Sequence, residues 1–582
     1  MRSIKDPLVE LRRRKVEVNT NLLIDLPPLL RQIYLHRGIK KTSDIERSTK
    51  YLLPWHGLNN INSAVRLLYK MLQTERRVLV VGDFDADGAT STALTVLALR
   101  SMGGNIDYLL PNRFKDGYGL SPKVVQKARN RGAEMILTVD NGISSYAGVE
   151  TCHRYGIPVL VTDHHLPNAK LPLAEAIVNP NLLNSTFPSR SMAGVGVAFY
   201  LMVALRAYLK KHNWFNNSRS EPNLAELLDL VALGTIADLA PLDCNNRILV
   251  WQGLMRIRAG KCRKGIRALL NLCKCNINQL VENDLAFNIG PRLNAAGRLD
   301  DMSVGVALLL SNTNTEAKIL ANKLDMFNQT RKKIEYHMQR DALAMCNMFQ
   351  AQYKVLPQGL VFYSSNWHQG VIGVLASRLK ERFRRPVIAF APAEQGVLKG
   401  SGRSISGLHL YNVLKRLNSL FPSLIIEFGG HSMAVGLCIE EVKYKEFCKQ
   451  FVILINQCLK GKSFQDIIWS DGELNVQQFS LNTAQMLREA GPWGQAFPEP
   501  IFDGKFKLLQ QRLVGGNHLK VIVCPLDGNS KAFLHGIVFN VDTNKWPNYR
   551  VYQITMAYKL GINEYRGNKL IQLNIHYIWP QI

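Results

Sequence analysis

No apolar run in this chain approaches the length that spans a bilayer, and its opening residues, Met1-Arg-Ser-Ile-Lys-Asp-Pro7, lack the apolar stretch of a signal peptide. No membrane association is expected, and the expected location is the cytoplasm. Cysteine is sparse and unpatterned. The ten cysteines form no CxxC pair, and Cys273-Lys-Cys275 has no second pair to match it, so neither a zinc site nor a disulfide framework is expected. Acid is in short supply too: 45 Asp and Glu stand against 72 Lys and Arg, a net charge of +27. Such a surplus calls for a polyanionic partner, and nucleic acid fits best, because neutralising phosphates releases condensed counterions.

Five of the aspartates stand where apolar runs end. Val78-Leu-Val-Val-Gly82-Asp83-Phe-Asp85-Ala-Asp87-Gly88 delivers three carboxylates spaced two apart, Met135-Ile-Leu-Thr-Val-Asp140-Asn-Gly142 delivers one more, and Pro158-Val-Leu-Val-Thr-Asp163-His164-His165 ends in an acid and two imidazoles. Short aliphatic runs separated by helix-length segments describe buried parallel strands. In open α/β sheets the ligand site lies beyond the carboxyl ends of such strands, so the three clusters converge. Carboxylates that close repel one another unless cations sit between them. Asp85, Asp87, Asp140 and His164 therefore imply divalent metal, and the mixture of carboxylate with imidazole suits Mn²⁺ better than Ca²⁺. An EF-hand loop also begins Asp-x-Asp-x-Asp-Gly, but its twelfth position needs a bidentate Glu, and counted from Asp83 that position is Leu94.

A chain of 582 residues exceeds what one core organises, so about three domains are expected. Residues 1–50, broken by Pro27-Pro28, read as a cap on the first domain; 51–312 alternate strands and helices as an α/β domain. Within it, a helix from Pro222 stops at Gly234 and empties into a loop carrying Asp238, a further candidate metal carboxylate. Residues 313–352, free of Gly and Pro, read as one long connecting helix. A smaller α/β domain follows at 353–460, with glycine-rich loops Lys399-Gly-Ser401-Gly-Arg403-Ser and Phe428-Gly-Gly430-His431-Ser suited to a phosphate. Gly194-Val-Gly196 is a weak dinucleotide signal, because Phe199 stands where the fingerprint needs glycine. Alternating segments from 461 to 582, with turns at Gly515-Gly-Asn517 and Arg566-Gly-Asn568, describe antiparallel strands closing a small oligonucleotide-binding (OB) barrel, where Trp546, Tyr549 and Tyr552 are candidates to stack bases.

Asp83-Phe-Asp85-Ala-Asp87-Gly88, Asp140-Asn-Gly, Asp163-His164-His165, Gly234-Thr-Ile-Ala-Asp238 and Gly429-Gly430-His431 together resemble the DHH/DHHA1 phosphoesterase superfamily. Ile289-Gly-Pro-Arg292-Leu-Asn294-Ala-Ala-Gly297-Arg298 and the C-terminal barrel narrow the resemblance to its RecJ branch. The resemblance implies a parallel-sheet DHH domain joined by the long helix to a DHHA1 domain and an OB-fold. It also implies an exonuclease using two Mn²⁺ or Mg²⁺ ions to degrade single-stranded DNA from the 5′ end in recombination and repair. The implied metal ligands are Asp85, Asp87, Asp140, His164 and Asp238, with Asp140 bridging. Superfamily members carry a histidine where this chain has Val81, and Asp83 is the expected substitute. His165 is assigned to the scissile phosphate or to supporting the metal ligands from behind, and Asp163 to orienting the histidine pair. Gly430 and His431 would touch substrate. Ser401, Arg403 and Arg113 would hold a terminal 5′ phosphate, and Arg298 the site or the DNA backbone. The two domains would face each other across a groove for one strand. A helicase and a single-strand-binding protein are the partners that would feed the enzyme, and a monomer is the default. Two other functions use parts of the same pattern. A phosphodiesterase of short oligoribonucleotides or cyclic dinucleotides would need neither the barrel nor so large a positive charge, and a non-catalytic DNA-binding scaffold would have lost metal acids that all stand here.

Overall fold

The structure is a computed structural model that describes residues 9–15, 22–353, 355–394, 396–460, 466–526, 533–565 and 567–581; the Met1–Pro7 segment and the Arg566 corner of the expected turn lie outside them. The chain forms two compact units. One comprises the described residues up to Leu293, Met302–Ala321 and those from 466 onward; the other comprises Asn294–Asp301 and Asn322–Lys460. Among the described residues no helix is long and apolar enough to cross a membrane.

In the first unit, strands β1 (Val78–Val81), β2 (Ile106–Leu109), β3 (Met135–Val139), β4 (Val159–Thr162) and β5 (Ala176–Val178) form a sheet in the order β2-β1-β3-β4-β5. Every pair is parallel. All but β2 are buried along their whole length, which is why their sequences are unbroken aliphatic runs and not alternations. Helices α1 (Ala86–Ser101), α2 (Pro122–Asn130) and α3 (Tyr146–Arg154) link the strands. Val124, Val125 and Ala128 of α2 and Val149 and Cys152 of α3 pack with Leu79, Ile136, Val159 and Val161 on one face. At about 1.5–3 kcal/mol for each fully buried large aliphatic side chain, this layer fixes the strand order. Helix α1 is buried on all sides, with α4 (Gly194–Lys211) and α5 (Leu228–Ala237) against it. The chain leaves β1 toward β2 on one side and meets β3 on the other, so the switch point of the sheet lies between β1 and β3, where their carboxyl ends open a crevice.

One local expectation is corrected. Gly234 does not stop its helix: α5 runs through it to Ala237, and Asp238 is the C-cap. A Cβ at Gly234 would lie 2.8 Å from Asp87 Oδ1 and 2.8 Å from Val195 Cγ1, so this glycine serves close packing against α1 and α4.

The C-terminal segment of the same unit folds as a closed barrel. Strands β11 (Phe502–Val514), β12 (His518–Pro525), β13 (Leu534–Val538), β14 (Gln553–Tyr565) and β15 (Asn568–Gln581) follow the order β11-β12-β13-β15-β14, with β14 back on β11. The expectation of antiparallel strands is corrected at one pairing, because β13 and β15 are parallel. Gly515 and Gly516, at φ 59° and 85°, make the tight connection between β11 and β12. Phe502, Phe506, Leu519, Val521, Val523 and Tyr558 fill the barrel interior, whereas Tyr549 and Tyr552 are exposed. The residues expected to cap the first domain hold this segment as well: Val9–Arg13 pairs in parallel with Asp466–Ser470, and Arg37 binds Asp471 and the Pro498 carbonyl.

In the second unit, β6 (Leu360–Tyr363), β7 (Val387–Pro392), β8 (Val397–Arg403), β9 (Glu427–Gly430) and β10 (Ala434–Glu440) form a sheet in the order β9-β10-β8-β7-β6. Only β6 and β7 are parallel among these pairs. The 40-residue helix α7 (Asn314–Tyr353) runs into this unit, preceded by α6 (Gly290–Leu299) and followed by α8 (Ile372–Phe383). The glycine-rich stretches expected as phosphate loops are strands, β8 and the β9–β10 hairpin. A Cβ at Gly400 would lie 2.5 Å from the Phe390 ring, so packing under the sheet, not backbone approach to an anion, explains that glycine.

Candidate metal centre

Because β1 and β3 are neighbours, the turns after them bring Asp83, Asp85 and Asp140 together, each offering an oxygen within 4.8 Å of the others. Asp87, His164 and Asp238 form a second such group, and Asp140, His164 and His165 a third. The acids and histidines read from three separate strand ends thus share one crevice.

Local structure explains each placement. Asp85 caps α1, its Oδ1 accepting the N–H groups of Asp87 and Gly88 at 3.0 Å each. Its other oxygen is left to the crevice. Asp87 is almost fully buried, yet its carboxylate accepts the N–H groups of Gly194 at 2.6 Å and Val195 at 3.0 Å. It therefore sits on the N-terminus of α4, whose dipole favours an anion. Asp140 follows β3 at φ 60°, a left-handed conformation that folds its side chain back over the strand end. His164 Nε2 lies 3.1 Å from Asp140 Oδ1, 3.9 Å from Asp87 Oδ2 and 4.0 Å from Asp238 Oδ2. Asp163 Oδ1 accepts the N–H groups of His164 and His165 and lies 2.7 Å from His165 Nδ1, while Oδ2 accepts the N–H of Ile143.

The electrostatics are those of a cation site. Burial, and then the charge of Asp85, push Asp83 up to about 8 and Asp87 up to about 7. Burial with Asp87 and Asp85 raises Asp140 and Asp238 well above the carboxylate range. Burial lowers His164 to about 4, keeping its imidazole neutral and able to ligate. Against the cost of burial, the Asp163 hydrogen bond lifts His165 to about 9. Asp140 Oδ1 is buried, and His164 Nε2, 3.1 Å away, is not oriented to hydrogen-bond to it. An acceptor in that state, ringed by acids that repel it, fits a divalent ion. Val81 ends β1 fully buried among aliphatic neighbours, and Asp83 stands in the group with Asp85 and Asp140.

Arg113 lies over the Phe84 ring at 4.1 Å. Burial lowers its pKa, with Asp83 and Asp85 pulling the other way. Asn179 and Asn181 escaped the sequence reading, and Asn141 and Gly194, quoted there within motifs, were given no such role. Asn181 donates to the His164 carbonyl at 2.6 Å and Asn179 to the His165 carbonyl at 2.9 Å. Asn141 ties the Val81 and Val139 carbonyls, and Gly194 leaves room for Asp140. The signal was the polar Asn179-Pro-Asn181 directly after a strand. In the second unit, Arg403 on β8 donates to the hydroxyls of Ser377 and Ser401 at 3.1 Å, and Gly373, beside the start of α8, faces both Ser401 and Arg403. Gly430 takes φ 127° and His431 is exposed after it. Arg298, on α6, reaches the Gly370 carbonyl at 3.5 Å.

Three family descriptions match the chain: the DHH family N-terminal domain over residues 77–235, the DHHA1 domain over 354–461 and the RecJ OB domain over 470–577. A single-stranded-DNA-specific exonuclease RecJ from Escherichia coli (strain K12) is 58% identical over 98% of this chain and 99% of its own length. The chain belongs to the RecJ family. The RecJ of Haemophilus influenzae is 50% identical over 98% of this chain and 99% of its own. The crystal structure of Thermus thermophilus RecJ with Mn²⁺ superposes with a TM-score of 0.80 at 26% identity, covering 99% of this chain and 80% of that one. The same RecJ has also been solved with Mg²⁺, at a TM-score of 0.76 and 25% identity, covering 99% and 79%.

Proposed function

We propose that this chain is a single-strand-specific DNA exonuclease that hydrolyses phosphodiester bonds with two divalent ions, Mn²⁺ or Mg²⁺. The observation that carries the reading is the meeting of two three-ligand groups beside Asp140, in a chain so similar along its length to exonucleases of the RecJ family. Asp83, Asp85 and Asp140 would hold one ion, and Asp87, His164 and Asp238 the other. When bound, such ions supply an activated water and neutralise charge on the phosphate and the leaving oxygen.

The chain's own residues then do the positioning. His165, kept protonated by Asp163, donates a hydrogen bond to a non-bridging phosphate oxygen. Arg113, its guanidinium 4.1 Å over the Phe84 ring, is a donor for a terminal 5′ phosphate. In the second unit, Ser401 and Arg403 are donors for a terminal 5′ phosphate, Gly430 and His431 contact the strand and Arg298 supports its backbone. Digestion from the 5′ end, service in recombination and repair in the cytoplasm, and supply of strands by a helicase and a single-strand-binding protein belong to the same reading, which membership of the RecJ family supports.

The test uses a single strand labelled at its 3′ end, with or without a 5′ phosphate, incubated with Mn²⁺ or EDTA beside the matching blunt duplex. Metal-dependent shortening of the single strand, with the duplex spared, is expected. Binding without cleavage under every metal would favour a DNA-binding scaffold. Cleavage of a dinucleotide, added as a third substrate, with the long strand left intact would favour the small-substrate phosphodiesterase.

A further inference from the structure

The end of α5, one residue beyond Asp238, is built at odds with its sequence. The Leu239 N–H donates to the Ile236 carbonyl and the Ala240 N–H to that of Thr235, both at 3.2 Å, the paired bonds of a Schellman cap. The first of these two donor positions requires the left-handed conformation and is ordinarily glycine. Here Leu239 holds φ 59° with 67% of its surface exposed. A large aliphatic side chain that accepts backbone strain and gains little burial is not explained by folding.

A second apolar side chain stands out nearby. Phe287 is 73% exposed on the π-helical turn Leu285–Ile289, a local structure concentrated at functional sites. That turn packs against α5. The two segments meet where a Cβ on Gly290 would lie 3.4 Å from that of Ala237, so Phe287 stands three residues before that contact and Leu239 two residues after it, next to Asp238 in the chain.

We infer that Leu239 and Phe287 form an apolar lip that stacks on an unpaired nucleobase beside the scissile phosphate. The inference rests on the exonuclease reading and deepens it. Unpaired bases offer a free π-face to an aromatic ring whatever their identity, whereas a base inside a duplex has both faces covered by its neighbours. The lip thus makes single-strandedness itself a binding determinant, in addition to any steric limit.

The experiment compares wild type, Phe287→Ala and Leu239→Gly on oligothymidylate and on the same strand with abasic sites along its 5′ portion, in Mn²⁺. Wild type is expected to prefer the base-bearing strand by about ten-fold in kcat/KM, and each variant to lose most of that preference. Leu239→Gly also separates stacking from structure. Glycine relieves the left-handed strain, so Tm should hold or rise by up to about 1 °C while the preference falls, a combination that a merely structural leucine would not give. Wild type that cuts neither strand overturns the exonuclease reading and the lip with it. Wild type that cuts with a base preference unchanged in both variants, or with no base preference at all, overturns the lip alone.

Discussion

Gly194→Ala tests whether the crevice is as tightly constructed as its hydrogen bonds imply. Gly194 opens α4, and its N–H donates to Asp87, while a Cβ on it would sit 2.6 Å from both Cβ and Oδ1 of Asp140. Ordinary carbon contacts lie at about 3.5–4 Å, so about 1 Å must come from displacing Asp140 or from tilting the start of α4 away from Asp87. Either movement pulls a carboxylate out of a three-ligand group. Misplacement of about 1 Å costs on the order of 100-fold in rate, and overpacking costs about 1–3 kcal/mol of stability. Gly196, two residues on, is the control, since its added Cβ would meet Met192 at 3.5 Å, an ordinary contact. There alanine should stabilise the helix by about 0.5–1 kcal/mol and leave cutting intact. The assay is kcat on a 5′-phosphorylated single strand at saturating Mn²⁺, together with a calorimetric Mn²⁺ titration. Gly194→Ala with more than about half of wild-type kcat and an unchanged Mn²⁺ midpoint would refute the argument, because Asp140 would then tolerate a shift that the two-group arrangement forbids.

Three further outcomes are expected. Asp140→Ala should abolish strand shortening while low-salt binding, measured by fluorescence anisotropy, stays within about two-fold, because phosphate contacts elsewhere remain; lost binding or retained cutting would remove Asp140 from the centre. Metal-induced stabilisation should grow with pH. Asp83 and Asp87 are raised to about 8 and about 7, so without metal the stability from their protonated forms is complete below about pH 4 and is lost as pH rises through those values. The Tm difference between Mn²⁺ and EDTA should therefore widen from about pH 6 to about pH 8, and a constant difference would count against the site. His165, raised to about 9 by Asp163, contributes stability that is complete below about pH 6.5 and lost as pH rises through about 9. In Asp163→Asn the NMR titration of His165 should move down toward its ordinary value; an unmoved titration would mean that the 2.7 Å contact does not set its charge.

How much of this centre a sequence can reveal depends on how far apart in the chain its partners lie. Asp83, Asp85 and Asp87 were legible because strand, turn and helix cap are local. The convergence with Asp140 and His164 was legible because buried parallel strands deliver their carboxyl ends to one edge. What holds these residues was not. Asp87 accepts from amides 107 and 108 positions away, and the two asparagines that fix the histidine backbones act across 14 and 17 positions, with no periodicity to announce them. Glycines misled for the same reason. Gly194, Gly234 and Gly400 read as a weak fingerprint, a helix stop and a phosphate loop, and in the fold each answers to a side chain across a packed interface that spacing cannot name. Leu239 lies at the far end of that scale. Nothing in Ala237-Asp238-Leu239-Ala240 marks its left-handed backbone, and the cap becomes visible only once the Thr235 and Ile236 carbonyls are seen to receive their bonds. Metal ligands are thus written in the sequence as motifs, whereas the residues that position them, and those that would read the substrate, emerge from tertiary contact.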